Sequence, residues 1–87
     1  MSLYLVERYT PSLGHEQVAS AVSKLSADKT PGVNHEWTVL IPGEDTCLSL
    51  FSAASASQVA KANVRAGFAF TRIIPAVAFS TNRRDHP

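Results

Sequence analysis

Few residues in this chain carry chemistry, and their spacing matches no diagnostic motif. The histidines are His15, His35 and His86, the nearby acidic residues are Glu16, Glu36 and Glu7, and Cys47 is the one cysteine. Imidazole and carboxylate are common ligands of a divalent transition metal. His35 and Glu36 are neighbours in a strand-like run, so their side chains point to opposite faces and share an ion only across a bulge. His15 and Glu16 open a helix-like run about 100° apart, and an ion between them needs further ligands. Neither an HxH nor an HxxxH pair occurs. In a two-fold dimer a single histidine near the axis supplies two ligands, and His35 is the residue best placed for that. The alternative for each histidine is a plain surface or interface residue. His86 stands in a terminal tail.

Cys47 is a thiolate ligand, a nucleophile with His35 as its base across a hairpin, or a small buried hydrophobe, the last being the commoner role of a lone strand cysteine. Glu7 is a base or ligand if it faces a cleft. Its other reading is a structural ion pair with Arg72 on an adjacent strand. Trp37, Phe51 and Phe70 either line a pocket for a flat ligand between sheet and helices or serve as interface and core. Glycine-rich phosphate loops, spaced catalytic carboxylates and a Ser-His-Asp order are missing. These residues point to a binding protein rather than an enzyme.

Positioning such residues falls to one small domain. The chain has 87 residues, 45% of them hydrophobic and 17% charged, with a formal net charge of +1. That charge gives no electrostatic case for nucleic acid or an anionic membrane. One cysteine excludes an intrachain disulfide and a zinc site of several thiolates. No basic region precedes a long apolar core, and no apolar run nears the ~20 residues that cross a bilayer, so a cytoplasmic protein is expected.

The centre of the domain is Val33 to Ala53, two apolar runs broken at Gly43-Glu44-Asp45, which predicts a β-hairpin. Strand two, Val33 to Ile41, sets Val33, His35, Trp37, Val39 and Ile41 on one face. Asn34, Glu36, Thr38 and Leu40 take the other. Strand three, Thr46 to Ala53, sets Leu48 and Leu50 against Cys47 and Phe51. Leu3 to Tyr9 reads as strand one. A helix follows from Leu13 or Gly14 to Lys29, with Ser12 as N-cap and a stripe of Val18, Ala21, Val22 and Leu25. Ser55 caps a second helix with Gln58 in capping-box position. Its small-residue stripe is Ala56, Val59, Ala60, Asn63 and Ala66, and Gly67 ends it. Strand four spans Arg72 to Phe79, an edge strand because of Pro75. Residues 1–79 form one domain and residues 80–87 a flexible tail.

The order strand, helix, strand, strand, helix, strand with right-handed crossovers predicts an α+β, ferredoxin-like β-α-β-β-α-β sandwich. Its antiparallel sheet runs 4-1-3-2 with both helices on one face. Apolar residues on the open face predict a homodimer through that face, a dimeric α+β barrel, or a ligand held there. The RNA-binding variant of this fold needs exposed aromatics with basic neighbours on its central strands. Tyr4 has thin basic support, so RNA is the weakest reading.

Leu3-Tyr4-Leu5-Val6-Glu7-Arg8, Asp45-Thr46-Cys47, Asn63 with Arg65-Ala66-Gly67, and Arg72-Ile73 with Ala76-Val77 resemble a bacterial family of short domains of unknown function. Its characterised member is a streptomycete nickel-binding protein. The resemblance runs from Leu3 to about Phe79. It implies a ferredoxin-like dimer and binding of nickel or a similar divalent ion. The family's Glu-Ala pair closing strand three is Ser52-Ala53 here, and the relative's metal-binding histidines have no one-to-one counterparts. His35, His15, Glu36 and Glu7 are the metal candidates among this chain's own residues. The second reading is a small-molecule binder or enzyme with a pocket between sheet and helices, lined by Trp37, Phe51 and Phe70 with Cys47 or His35 close by.

Overall fold

The computed structural model describes residues 1–79; the expected tail lies outside the described residues. Its elements are β1 (Ser2–Tyr9), α1 (His15–Ala27), β2 (Val33–Ile41), β3 (Thr46–Ala53), α2 (Ala56–Arg65) and β4 (Arg72–Ala76). A short 3-10 turn, Pro42–Glu44, joins β2 to β3 and closes on Asp45, whose φ of 50° is left-handed. The strands form one antiparallel sheet in the order β2-β3-β1-β4, the ferredoxin-like arrangement.

Alternation along β1 and β3 divides the sheet into two faces. Val6, Arg8, Cys47, Ser49, Phe51 and Ala53 are buried toward the helices. Leu3, Leu5, Leu48 and Leu50 are half-buried on the other side, with Glu7. The helices complete the core with Val18 and Leu25 from α1, and Val59, Ala62 and Ala66 in and after α2; Phe68 follows. Buried apolar area of this kind contributes roughly 25 cal/mol per Å², the main stabilising term in so small a domain.

Several helix details differ from expectation. Gly14, not Ser12, is the N-cap of α1: Ser12 stands two residues too early, and Gln17 Oε1 accepts the Gly14 N–H at 2.6 Å. Helix α1 ends at Ala27, because Asp28 Oδ1 accepts from the Thr30 N–H at 2.9 Å and turns the chain. Ser55 does cap α2, accepting the Gln58 N–H at 3.3 Å. The buried stripe of α2 runs through Val59, Ala62 and Asn63, not Ala56. Gly67 follows with φ of 67°, a conformation that favours glycine. Strand β4 stops at Ala76 and carries Pro75 on the sheet edge, where a missing N–H costs no ladder bond.

The largest departure is in β2. Its pairing with β3 runs in register from Val33 to His35, slips at Glu36, and resumes at Trp37 against Leu50. Glu36 is the extra residue of a β-bulge, and side-chain parity reverses across it. Val33, His35, Thr38 and Leu40 therefore share the helix-covered face. Trp37, Val39 and Ile41 share the open one.

Candidate functional site

The bulge builds the polar centre of the molecule. It turns His35 inward, where the ring packs against Phe51 with centroids 5.3 Å apart. Thr38, three residues on, then faces the same way. His35 Nε2 lies 2.7 Å from Thr38 Oγ1, and Nδ1 lies 3.2 Å from Ser26 Oγ on α1. Thr38 Oγ1 lies 2.7 Å from Ser49 Oγ, and Ser49 accepts from Arg8 NH2 at 2.7 Å. A continuous chain thus runs Arg8–Ser49–Thr38–His35–Ser26, crossing β1, β3, β2 and α1.

Arg8 is 2% exposed, an unusual place for a full charge. Its NH1 reaches the Phe68 and Ala69 carbonyls at 3.4 Å, and its guanidinium sits 3.7 Å over the Phe68 ring. No carboxylate pairs with it among the described residues, and Nε has no partner there. Burial pushes its pKa down to about 10, which still leaves it charged at neutral pH. Burial and the Arg8 charge together hold His35 below the usual histidine range. Cys47 pairs across the ladder with Arg8 and is fully buried. Burial pushes its thiol up, and the arginine only partly opposes this, so Cys47 is a neutral core thiol.

Beside this chain lies a cleft of about 390 Å³ between α1 and β2, lined by His15, Val18, Ala19, Val22, Thr38, Leu40 and Pro42. Small-molecule sites run from roughly 300 to 1,000 Å³, mostly apolar with a few fixed polar groups. This cleft matches such a site in volume and apolar lining but is broadly open to solvent, and Thr38 is the member of the polar chain on its wall. A second hollow of about 340 Å³ lies around the 28–32 loop and includes Ser26, Asp28, Thr30 and His35. Its polar groups are largely committed to one another: Asp28 accepts from Thr30 and pairs with Arg65 at 2.8 Å.

The structure disperses most of the residues picked from sequence. His35 faces the helices, so it does not stand on a two-fold axis through the open face. Its β3 neighbour is Phe51 rather than Cys47, which removes the His35–Cys47 pair. Glu36 is exposed on the bulge and accepts from Ser52 Oγ at 3.0 Å. Glu7 is on the open face, paired with Arg72 at 2.6 Å, as the ion-pair reading expected. His15 is exposed at the start of α1. The four metal candidates therefore do not converge within one chain, and no cluster of three or more His, Cys, Asp or Glu residues occurs among the described residues. Trp37 stands on the open face, Phe51 in the core, and Phe70 half-buried against that core, so the three line no common pocket. Arg8, Ser26, Thr38 and Ser49 were missed as site residues. Their one visible signal was an arginine near the end of an apolar strand, in phase with Tyr4 and Val6.

No protein-family model and no curated protein sequence matches this chain. Among solved structures it is similar to the crystal structure of SCO4226 from Streptomyces coelicolor A3(2), with a TM-score of 0.76 at 20% identity. That similarity covers 91% of this chain and 100% of the other, and it shows the fold. Among the described residues no helix is long and apolar enough to cross a membrane.

Proposed function

We propose that this chain is a non-catalytic, homodimeric binding protein that takes a small organic molecule in the cleft between α1 and β2. The observation that carries this reading is the composition of that cleft. Val18, Ala19, Val22, Leu40 and Pro42 supply apolar wall, and Thr38 supplies one polar group already fixed in a network. Apolar wall provides the affinity and the fixed hydroxyl provides the orientation. The fold supports the dimer: Trp37, Val39 and Ile41 are 42%, 46% and 36% exposed beside half-buried Leu3, Leu5, Leu48, Leu50 and Ile74. A second sheet laid on this face would cover an apolar surface that water otherwise meets.

The test is an NMR titration with hexanol, watching backbone amides. Saturable shifts at Val18, Val22, Thr38 and Leu40, lost when Val22→Phe fills the cleft, support the reading. Shifts confined to the open face, or none, reject it.

A divalent transition metal such as nickel is the second reading. It is favoured by His15, whose exposed ring at the cleft mouth makes no hydrogen bond among the described residues. The remaining ligands would be water or come from a second copy docked at this cleft rather than on the open face. Titration with Ni²⁺, Zn²⁺ and Co²⁺ beside His15→Ala and His35→Ala decides it. Stoichiometric binding lost in the His15 variant supports a metal site, and no heat with any ion removes it.

A further inference from the structure

We propose that the cleft between α1 and β2 selects an uncharged molecule bearing a hydroxyl or N–H, and disfavours carboxylates, ethers and ammonium ions. This rests on that cleft being the ligand site.

Arginine only donates. Arg8 NH2 gives a proton to Ser49 Oγ at 2.7 Å, so the Ser49 hydroxyl must direct its own proton elsewhere. Ser49 keeps one lone pair besides that proton, so it can give to or accept from Thr38 Oγ1, also at 2.7 Å. Thr38 Oγ1 lies equally 2.7 Å from His35 Nε2. A neutral imidazole accepts at one nitrogen and donates from the other, so whichever way the chain runs through His35 to Ser26 Oγ at 3.2 Å, Thr38 gives one hydrogen bond and takes one.

The consequence falls on Thr38, the one member that lines the cleft. Its donor is used and one of its two acceptor positions is filled. What remains for a ligand is one lone pair. A neutral O–H or N–H satisfies it. A carboxylate or an ether oxygen meets a second acceptor and gains no hydrogen bond there. An ammonium ion is a donor, but it enters the field of the buried Arg8 charge two hydroxyls away. The apolar lining asks for a hydrocarbon or ring as the remainder of the molecule. The class is therefore a small alcohol, phenol or amide.

The experiment compares matched probes on the full chain at about pH 8, above the ordinary histidine range. Hexanol, methyl pentyl ether, hexanoate and hexylammonium are titrated against backbone amide shifts. Hexanol should bind roughly three- to tenfold tighter than the ether, the worth of one neutral hydrogen bond in a partly buried site. Hexanoate and hexylammonium should bind more weakly than hexanol. Thr38→Ser should keep the preference and Thr38→Val should erase it. Should Thr38→Val fail to fold, the wild-type series with Thr38→Ser still decides the matter. Equal binding of ether and alcohol, or tighter binding of hexanoate, overturns the selection rule while leaving the cleft as a site. Absence of cleft shifts with all four probes overturns the cleft reading itself, and the selection rule with it.

Discussion

Replacing Arg8 separates what the buried charge does for stability from what it does for the site. Burial pushes its pKa well down, to about 10, a penalty on the charged form of about 3 kcal/mol. Against this stand a charge-assisted bond to Ser49 at 2.7 Å, worth about 2 kcal/mol, and the stack on Phe68 at 3.7 Å, worth about 1–2 kcal/mol when desolvated. The two carbonyl contacts at 3.4 Å are long and add little. The terms nearly cancel. Arg8→Met keeps most of the apolar stem, removes both penalty and gain, and should cost only about 1–2 kcal/mol. Arg8→Ala opens a cavity beside Phe68 and Cys47 as well, and should cost about 3–5 kcal/mol.

Urea denaturation of the two variants measures both numbers. A methionine variant as unstable as the alanine one would show that the charge itself holds the fold, and the cancellation argued above would be wrong. The same variant gives a second readout: Thr38 still lies between Ser49 Oγ and His35 Nε2, so the preference of the cleft for hexanol over its ether should persist. A lost preference in a folded Arg8→Met protein would show that the arginine, rather than the two neighbours of Thr38, sets what the hydroxyl offers.

His35 has a folded pKa below its ordinary 6.5, chiefly through burial and then through Arg8, so the unfolded chain takes up its proton first. Its contribution is complete above 6.5 and is lost as pH falls through the folded value; the melting temperature should drop on acidification from neutrality, and less so in His35→Gln. Gly67→Ala meets nothing within 4 Å but keeps φ of 67°, so it should cost about 1 kcal/mol by strain alone in chemical denaturation. Trp37→Ser combined with Val39→Lys should convert a dimer to a folded monomer in sedimentation velocity, and a wild type that is already monomeric at tens of micromolar would dispose of the open-face dimer. Asp28 is held below the usual carboxylate range first by Thr30 and then by Arg65. Thr30→Val should therefore raise the Asp28 pKa, read by NMR, more than Arg65→Gln does.

The fold was legible because its cues are local and repeated. Pro11, Pro31-Gly32, Gly43-Glu44-Asp45 and Gly67 punctuate the chain, and the bounds of β2 and β3 follow from the apolar runs between them. The β1–β3 and β1–β4 pairings need only ordinary alternation. Glu7 and Arg72 could be matched for the same reason, since neither strand breaks parity between them. The site was not legible, and one residue accounts for most of the failure. Strict alternation through β2 sends His35 with Trp37, Val39 and Ile41 and away from Thr38. With Glu36 bulged, His35 and Thr38 come together, and the aromatic residue expected in the pocket goes to the opposite face.

A clue was present in the strand itself. The apolar positions of β2 are Val33, Trp37, Val39, Leu40 and Ile41, and no single alternation explains all five. A regular strand that buries Val33 must bury Trp37 and leave Leu40 out, whereas Leu40 joins the core and Trp37 does not. Only an inserted residue between Val33 and Trp37 reconciles the two ends, and the polar stretch Asn34-His35-Glu36 is the place where an insertion costs no apolar burial. The same insertion puts the half-buried His35 three positions from the hydroxyl of Thr38. Fold and site therefore share one cause: the bulge that keeps the far half of β2 apolar on its open face also assembles Arg8, Ser49, Thr38 and His35 into one hydrogen-bonded chain beneath the cleft.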